Sequence, residues 1–151
     1  LAHQSIHFTH IAYDEIKPVF GNQGKPLSRK DIQKEDELLV ISGIASPEGF
    51  IKEVGKFSDK VTPLIFPDHH AFEKSDIRRI KNTFDKMKSS AKYILVTEKD
   101  AARLLDNPHI PEDWKTCMYY LPITIEFCLD KKFDDEIKKH ITTFHKDNLL
   151  R

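Results

Sequence analysis

The sequence has little that would mark a nucleic-acid-binding, membrane-spanning or disulfide-rich protein. Lys plus Arg and Asp plus Glu each number 24 in 151 residues, so the formal net charge is zero and the basic excess of a dedicated nucleic-acid binder is missing. No apolar run approaches the roughly 20 residues that cross a bilayer, and no secretory signal is visible. Cys117 and Cys128 form no CxxC pair, which excludes a zinc ribbon and favours a reduced, cytosolic compartment. We therefore expect a soluble protein with no nucleic-acid partner.

Several motifs of common enzymes are also missing from the sequence. There is no GxxxxGK[ST] loop for nucleotide phosphates, no GxGxxG fingerprint for dinucleotides, no GxSxG and no HExxH. Hydrophobic residues make up 39% and charged residues 32% of the chain, which is enough apolar content for one folded domain, alone or with an arm. The chain begins with Leu1 rather than methionine, so we expect a processed chain or a piece of a longer protein.

Three regions follow one another along the chain. Residues 1–20 contain "IHFTHIAYDEIKPVF", whose near alternation of apolar and polar residues predicts a strand or hairpin arm. Residues 21–36 are polar and rich in turn-forming residues, which is typical of a linker or exposed loop. Residues 37–151 alternate short apolar runs with amphipathic stretches, which predicts an α/β domain.

The apolar runs and amphipathic stretches also predict individual elements. Strands are expected at 37–45, 61–66 and 92–97, with one strand or two at 117–127, and helices at 46–57, 75–90, 98–106 and 134–147. Ser46 and Ser75 are the expected N-caps of the first two helices. Strands that alternate with helices predict a mostly parallel, Rossmann-like sheet flanked by helices, with an N-terminal β arm.

Chemically reactive side chains follow three of the predicted strands. The segments "SGIASPEGF", "PDHHAF" and "TEKDAARL" begin where a strand ends. Parallel strands end at one edge of a sheet, and ligands of such sheets bind at that edge. We therefore expect these three segments to meet and to form the functional site.

The second segment carries Asp68, His69 and His70 side by side. A carboxylate next to an imidazole orients the ring and supports proton transfer. The alternative is a polar loop in which Asp68 caps a turn and both histidines are solvated. The position at a strand end favours a functional role for the trio, and adjacent residues rarely ligate one metal together.

The third segment contains Thr97, Glu98, Lys99 and Asp100 at a strand-to-helix junction. Free backbone amides at a helix start can hold an anion, and Lys99 could bind a phosphate. The acids could equally complement the helix dipole, and that structural interpretation is favoured for this stretch alone. The histidines at positions 3, 7 and 10 have mixed spacing and are interpreted as surface residues with a weak metal-binding alternative.

The order of four motifs resembles a known family. "ISGIASPEGF", "IFPDHHAF", "ILVTEKDAARL" and "YYLPITIEF" follow one another as in the carboxyl-terminal half of tetraacyldisaccharide 4'-kinase, the lipid A 4'-kinase of Gram-negative bacteria. The preceding "IHFTHIAYDEIKPVF" is similar to the strand arm that joins the two halves in that family. The resemblance therefore covers nearly all of the chain.

The resemblance implies a function for the longer protein. Family members transfer the γ-phosphate of ATP, with Mg²⁺, to the 4'-hydroxyl of a tetraacylated disaccharide 1-phosphate lipid at the cytoplasmic face of the inner membrane. The P-loop, the magnesium-binding acids and a catalytic aspartate belong to an N-terminal domain, which would be the partner of this chain. By that match His69 partners the aspartate, Asp68 orients His69, and His70 is a weaker catalytic candidate. A chain without the P-loop is expected to be inactive by itself.

Two other functions remain open at this point. "DHH" is also the signature of metal-dependent phosphoesterases, but those enzymes need upstream aspartate motifs that do not precede residue 68 here. A non-catalytic α/β binding domain needs only the fold, and would leave the three reactive strand ends without a common explanation.

Overall fold

A computed structural model of the chain describes residues 6–128 and 133–148, which fall into two structural units. The larger unit is Tyr13–Ile123, and the smaller contains the described residues before and after it. In chain order, the elements are β1 (Thr9–Tyr13), β2 (Lys17–Pro18), β3 (Glu37–Ser42), α1 (Glu48–Val54), β4 (Lys60–Ile65), α2 (Lys74–Asp85), β5 (Lys92–Thr97), α3 (Glu98–Leu105), β6 (Met118–Leu121), β7 (Ile123–Phe127) and α4 (Phe133–Asn148). Short 3₁₀ turns occupy Gly21–Gln23 and Glu112–Thr116.

The larger unit contains a five-stranded sheet with the order β2-β6-β5-β3-β4. Strand β3 pairs in parallel with both β4 and β5, and β5 pairs in parallel with β6. Strand β2 pairs antiparallel with β6 and is two residues long. The predicted α/β fold with a mostly parallel sheet is therefore confirmed, and the end of the predicted N-terminal arm supplies the antiparallel edge strand.

Side chains from the two faces of the sheet form two apolar clusters. Leu39 and Ile41 of β3 point into one cluster, with residues of α2 and α3 such as Ile80 and Leu104. Leu38 and Val40 point into the other, which includes α1 and part of the segment 21–36. This alternation follows from the period of two of a β-strand, and the central residues of β3 and β5 are apolar because both of their faces are covered.

The polar segment 21–36 belongs to the larger unit and contributes to its second apolar cluster. Leu27 and Ile32 are buried in the second cluster. Arg29 donates through Nη2 to the carbonyl of Tyr13 at 2.6 Å and through Nη1 to Glu53 at 3.1 Å. The boundaries at residues 20 and 36 therefore remain a prediction, whereas the structural units divide after residues 12 and 123.

Two predicted helix starts are wrong by one or two residues. Helix α1 begins at Glu48 with Pro47 as its N-cap, rather than after Ser46. Helix α2 begins at Lys74, because Glu73 and Asp76 form a reciprocal capping box that places the helix start ahead of Ser75.

The smaller unit pairs β1 with β7 and ends in the 16-residue helix α4. The amide of Cys128 donates to the carbonyl of Phe8 at 2.9 Å, which extends the ladder beyond the two strands. Pro122 separates β6 from β7, so the predicted apolar run at 117–127 forms two strands. In the part of the chain that the structure describes, no helix combines the length and the apolar character that crossing a membrane requires.

Candidate active site

The three predicted segments meet at the carboxyl edge of the parallel strands. Gly43, which follows β3, lies between the other two segments. A Cβ atom at Gly43 would lie 3.1 Å from Asp100 Oδ1, 3.4 Å from the Pro67 carbonyl oxygen and 3.5 Å from His70 Cβ. The close contact of the three segments explains why a residue without a side chain stands at position 43. The predicted convergence at this edge is confirmed.

The segment after β4 forms a tight turn around His69. The His70 amide donates to the Pro67 carbonyl at 3.3 Å, and the His69 amide donates to Asp68 Oδ1 at 2.9 Å. His69 has a φ of +59°, and no other described residue except Gly21 has a positive φ. Left-handed backbone costs an L-residue about 1–2 kcal/mol, so this turn carries strain next to reactive side chains.

His70 faces the start of α2 rather than His69. Its Nε2 lies 2.8 Å from Asp76 Oδ2, and its ring stacks on Phe66 with centroids 4.9 Å apart. Burial raises the pKa of Asp76, but the hydrogen bond from the Glu73 amide and the contact with His70 outweigh burial and leave that pKa lowered. His70 thus fastens the turn to α2, and its catalytic role stays a prediction.

His69 is exposed, with 74% of its side chain accessible, and three charged groups surround its ring. Nδ1 lies 3.3 Å from Arg103 Nη2, and Nε2 lies 3.3 Å from Lys99 Nζ and 3.6 Å from Asp68 Oδ2. Lys99 Nζ also donates to Asp68 Oδ1 at 3.4 Å. The structure therefore brings the predicted residues Asp68, His69 and Lys99 together in one accessible cluster.

The charge of Asp68 is maintained by its neighbours. Partial burial raises the pKa of Asp68, but the hydrogen bonds from Lys99 and from the His69 amide, together with the charges of both side chains, lower it further than burial raises it. A carboxylate that stays ionised beside an imidazole can orient the ring and stabilise a proton that the ring accepts. The cluster is thus suited to proton transfer with a group that approaches from solvent.

Thr97 and Asp100 use their oxygens inside the protein. Thr97 is the N-cap of α3; its hydroxyl accepts from the Asp100 amide at 3.1 Å and donates to Asp100 Oδ2 at 2.6 Å. The fully buried Asp100 carboxylate also accepts from the Gly43 amide at 2.9 Å and pairs with Arg103 Nη1 at 3.0 Å. These two residues fasten the start of α3 to the end of β3, and the prediction that they bind a phosphate remains a prediction.

Glu98 lies at the first position of α3, where a carboxylate complements the helix dipole. It is exposed, and its Oε2 lies 3.4 Å from the amide of Ile123. Of the four residues predicted at this junction, only Lys99 contacts the exposed histidine.

Sequence reasoning missed Arg103 as a member of the cluster. Its Nη1 donates to Asp100 Oδ1 at 3.0 Å and to the Gly43 carbonyl at 3.1 Å, while Nη2 faces His69. The signal that could have revealed it is its spacing, because Arg103 follows Lys99 by four residues and therefore lies on the same side of α3.

His7 and His10 each lie close to a carboxylate. His7 Nε2 lies 3.2 Å from Glu136 Oε2 and His10 Nε2 lies 3.5 Å from Glu126 Oε2, whereas His3 lies outside the described residues. Within residues 6–128 and 133–148, no group of three or more His, Cys, Asp and Glu side chains has a geometry that could hold a metal ion.

Comparisons with known proteins agree on one family. Residues 3–142 match the family model described as Tetraacyldisaccharide-1-P 4'-kinase. The chain is similar to proteins named tetraacyldisaccharide 4'-kinase from Parabacteroides distasonis, with 45% identity over 149 residues, from Bacteroides thetaiotaomicron, with 32% over 152, and from Flavobacterium johnsoniae, with 35% over 147. Each alignment covers 97% of this chain but only 37–40% of the relative. No solved structure matches the chain.

Proposed function

We propose that the chain is the carboxyl-terminal part of a tetraacyldisaccharide-1-P 4'-kinase. It belongs to that family. The complete enzyme would transfer the γ-phosphate of ATP to the 4'-hydroxyl of a tetraacyldisaccharide 1-phosphate lipid at the cytoplasmic face of the inner membrane. The observation that carries this proposal is the match to named kinases over 97% of the chain, with its reactive loop at the carboxyl edge of a parallel sheet.

ATP and Mg²⁺ would be bound outside this chain. The 151 residues contain no P-loop motif, and the described side chains form no cluster with the geometry of a metal site. The chain spans about 40% of the length of its relatives, which leaves room for a nucleotide-binding domain elsewhere in the kinase. The two parts would meet at the catalytic cleft, and this chain would contribute the loop with Asp68 and His69.

His69 is the residue that we assign to proton transfer. Phosphoryl transfer to an alcohol requires a positioned hydroxyl and a group that takes up its proton. The exposed His69 ring can approach an aspartate base of the other domain and hydrogen-bond to it as that base takes up the proton, while Asp68, 3.6 Å from Nε2, orients the ring. His70 is committed to Asp76 and would act on catalysis only through the shape of the turn.

A chimeric kinase tests the function. The 151 residues replace the matching 40% of the Parabacteroides distasonis relative, and phosphate transfer from labelled ATP to the disaccharide lipid is measured. We expect lipid-dependent transfer by the chimera. We expect neither ATP hydrolysis nor lipid phosphorylation by the 151-residue chain alone. A folded chimera without transfer, or magnesium-dependent turnover by the pure chain, would contradict the proposal.

The role of His69 is tested in the same chimera. His69→Ala should lower kcat about 10²–10⁴-fold, the usual range for general acid–base catalysis, with a much smaller change in the KM for ATP. Asp68→Asn should lower kcat less, because Asp68 supports the ring rather than reacting. His109→Ala is the matched control, since His109 is also an exposed histidine in a turn. If His69→Ala kept the parental kcat, His69 would have no part in proton transfer.

A further inference from the structure

The guanidinium of Arg103 is held in a fixed position by two separate elements. Nη1 donates to the buried Asp100 carboxylate of α3 at 3.0 Å and to the Gly43 carbonyl after β3 at 3.1 Å. Only 22% of the Arg103 side chain is exposed, and Asp100 is itself held by the Gly43 amide and the Thr97 hydroxyl. A planar guanidinium fixed at one nitrogen by two acceptors has little freedom left at the other.

The second nitrogen of Arg103 faces the exposed histidine. Nη2 lies 3.3 Å from Nδ1 of His69. A guanidinium can donate hydrogen bonds but cannot accept them, so Arg103 forms a hydrogen bond here only when His69 Nδ1 is the acceptor. The proton of the neutral ring then sits on Nε2, which faces Asp68 Oδ2 at 3.6 Å.

Lys99 does not supply the same contact. Its ammonium also only donates and lies 3.3 Å from Nε2, where a hydrogen bond would require the opposite tautomer. Arg103 is the better anchored donor, because two further acceptors hold its guanidinium and its side chain is 22% exposed, against 44% for Lys99. The acceptor that suits Lys99 is Asp68 Oδ1 at 3.4 Å. The two cations thus have different tasks: Lys99 pairs with the acid, and Arg103 contacts the ring.

We infer that Arg103 is a positioning residue, which holds the exposed His69 ring through Nδ1 and presents the Nε2–H edge to solvent and to the approaching substrate. The importance of that edge for phosphate transfer rests on the proposed function. The tautomer and orientation of the His69 ring do not depend on it. The Nε2–H edge is the one that would donate to a carboxylate base or to a substrate oxygen.

Arg103 could instead serve only as the counter-ion of buried Asp100. Arg103→Lys separates the two roles, because one ammonium can pair with Asp100 but cannot also reach the ring as the second guanidinium nitrogen does. Arg103→Met removes both contacts and keeps a side chain of similar length. Arg78→Met is the matched control, since Arg78 is an exposed arginine on α2.

The test is long-range ¹H–¹⁵N NMR of the histidine rings in the 151-residue chain, at a pH where the His69 ring is neutral. The His69 signals are assigned by their loss in His69→Gln, and three-bond couplings report the rotamer of the side chain. We expect an unprotonated Nδ1, a protonated Nε2 and one rotamer. Arg103→Lys should give a tautomer mixture and averaged couplings while the melting temperature stays near the parental value. Lys99→Met and Arg78→Met should leave the ring tautomer unchanged.

Three results would overturn the inference. These are a protonated Nδ1 in the parent chain, averaged couplings in the parent, or a ring that is unchanged in both Arg103→Lys and Arg103→Met. An unchanged ring with a lowered melting temperature in Arg103→Met would identify Arg103 as a structural counter-ion. An inactive chimera with the expected ring signature would refute the proposed kinase function and leave the positioning role intact.

Discussion

Replacement of the buried Asp100 by alanine should destabilise the larger unit strongly. The carboxylate accepts from the Gly43 amide at 2.9 Å and from the Thr97 hydroxyl at 2.6 Å, and it pairs with Arg103 at 3.0 Å. Loss of one partner of a buried ion pair costs about 3–5 kcal/mol, and an unsatisfied buried amide about 1–3 kcal/mol. Arg103 keeps the Gly43 carbonyl and some solvent contact, so we expect a total near the low end, about 4 kcal/mol.

The assay is urea denaturation of the 151-residue chain followed by circular dichroism. Asp100→Asn keeps the shape and one acceptor oxygen, so it should lose about half as much, roughly 2 kcal/mol. In a chain of this size, a loss of 4 kcal/mol corresponds to a melting temperature about 8–16 °C lower. Asp106→Ala, an exposed acid at the end of the same helix, should change stability by no more than about 0.5 kcal/mol. A loss below about 1 kcal/mol in Asp100→Ala would refute the argument that this carboxylate joins β3 to α3.

Two further predictions concern Gly43 and Cys117. Gly43→Ala should lower stability by about 1–3 kcal/mol in urea denaturation, because the new Cβ would lie 3.1 Å from Asp100 Oδ1. Gly49→Ala is the control; its new Cβ in helix α1 would have its nearest contact at 3.6 Å, so stability should stay unchanged or rise. Equal losses of stability in the two variants would contradict the packing argument. Burial, with a smaller effect of a nearby acid, raises the pKa of Cys117 to about 11, so its thiolate is scarce at neutral pH and becomes more abundant as pH rises toward that value. Mass spectrometry after iodoacetamide treatment should therefore show the exposed Cys128 labelled first at neutral pH, and equally fast labelling of both cysteines would be inconsistent with a raised pKa of the partly buried Cys117 thiol.

The elements that sequence patterns predicted well are those whose signal is local and strong. The run at 92–97 predicted β5 with its observed bounds, because the centre of a strand covered on both faces is apolar. The helical spacing of Ile77, Ile80 and Phe84 predicted α2, and all three are buried. Strand β2 lies within the predicted arm, but its bounds could not be predicted, since two residues that include Pro18 carry no periodic pattern; they pair with Tyr119 and Tyr120.

The candidate site divides in the same way. The meeting of Asp68, His69 and Lys99 follows from the rule that parallel strands end at one edge, so it could be predicted before any contact was known. The hydrogen-bond partners of each side chain could not be predicted from the sequence. That His70 faces Asp76 depends on the left-handed turn at residue 69, and that Arg103 reaches the ring depends on the burial of an acid three residues before it.

Strand β4 lies at the edge of the five-stranded sheet, and its composition limits what can associate there. It pairs with β3 on one side, and within the described residues no strand lies on its other side. Pro63, opposite Val40 in the middle of the strand, has no backbone N–H to donate. A strand from another molecule would therefore meet an interrupted row of hydrogen-bonding groups, preceded by the charged Lys60. Edge strands with a proline and a charged residue resist sheet-to-sheet aggregation. Pro63 and Lys60 of β4 therefore help to keep separate copies of the chain apart.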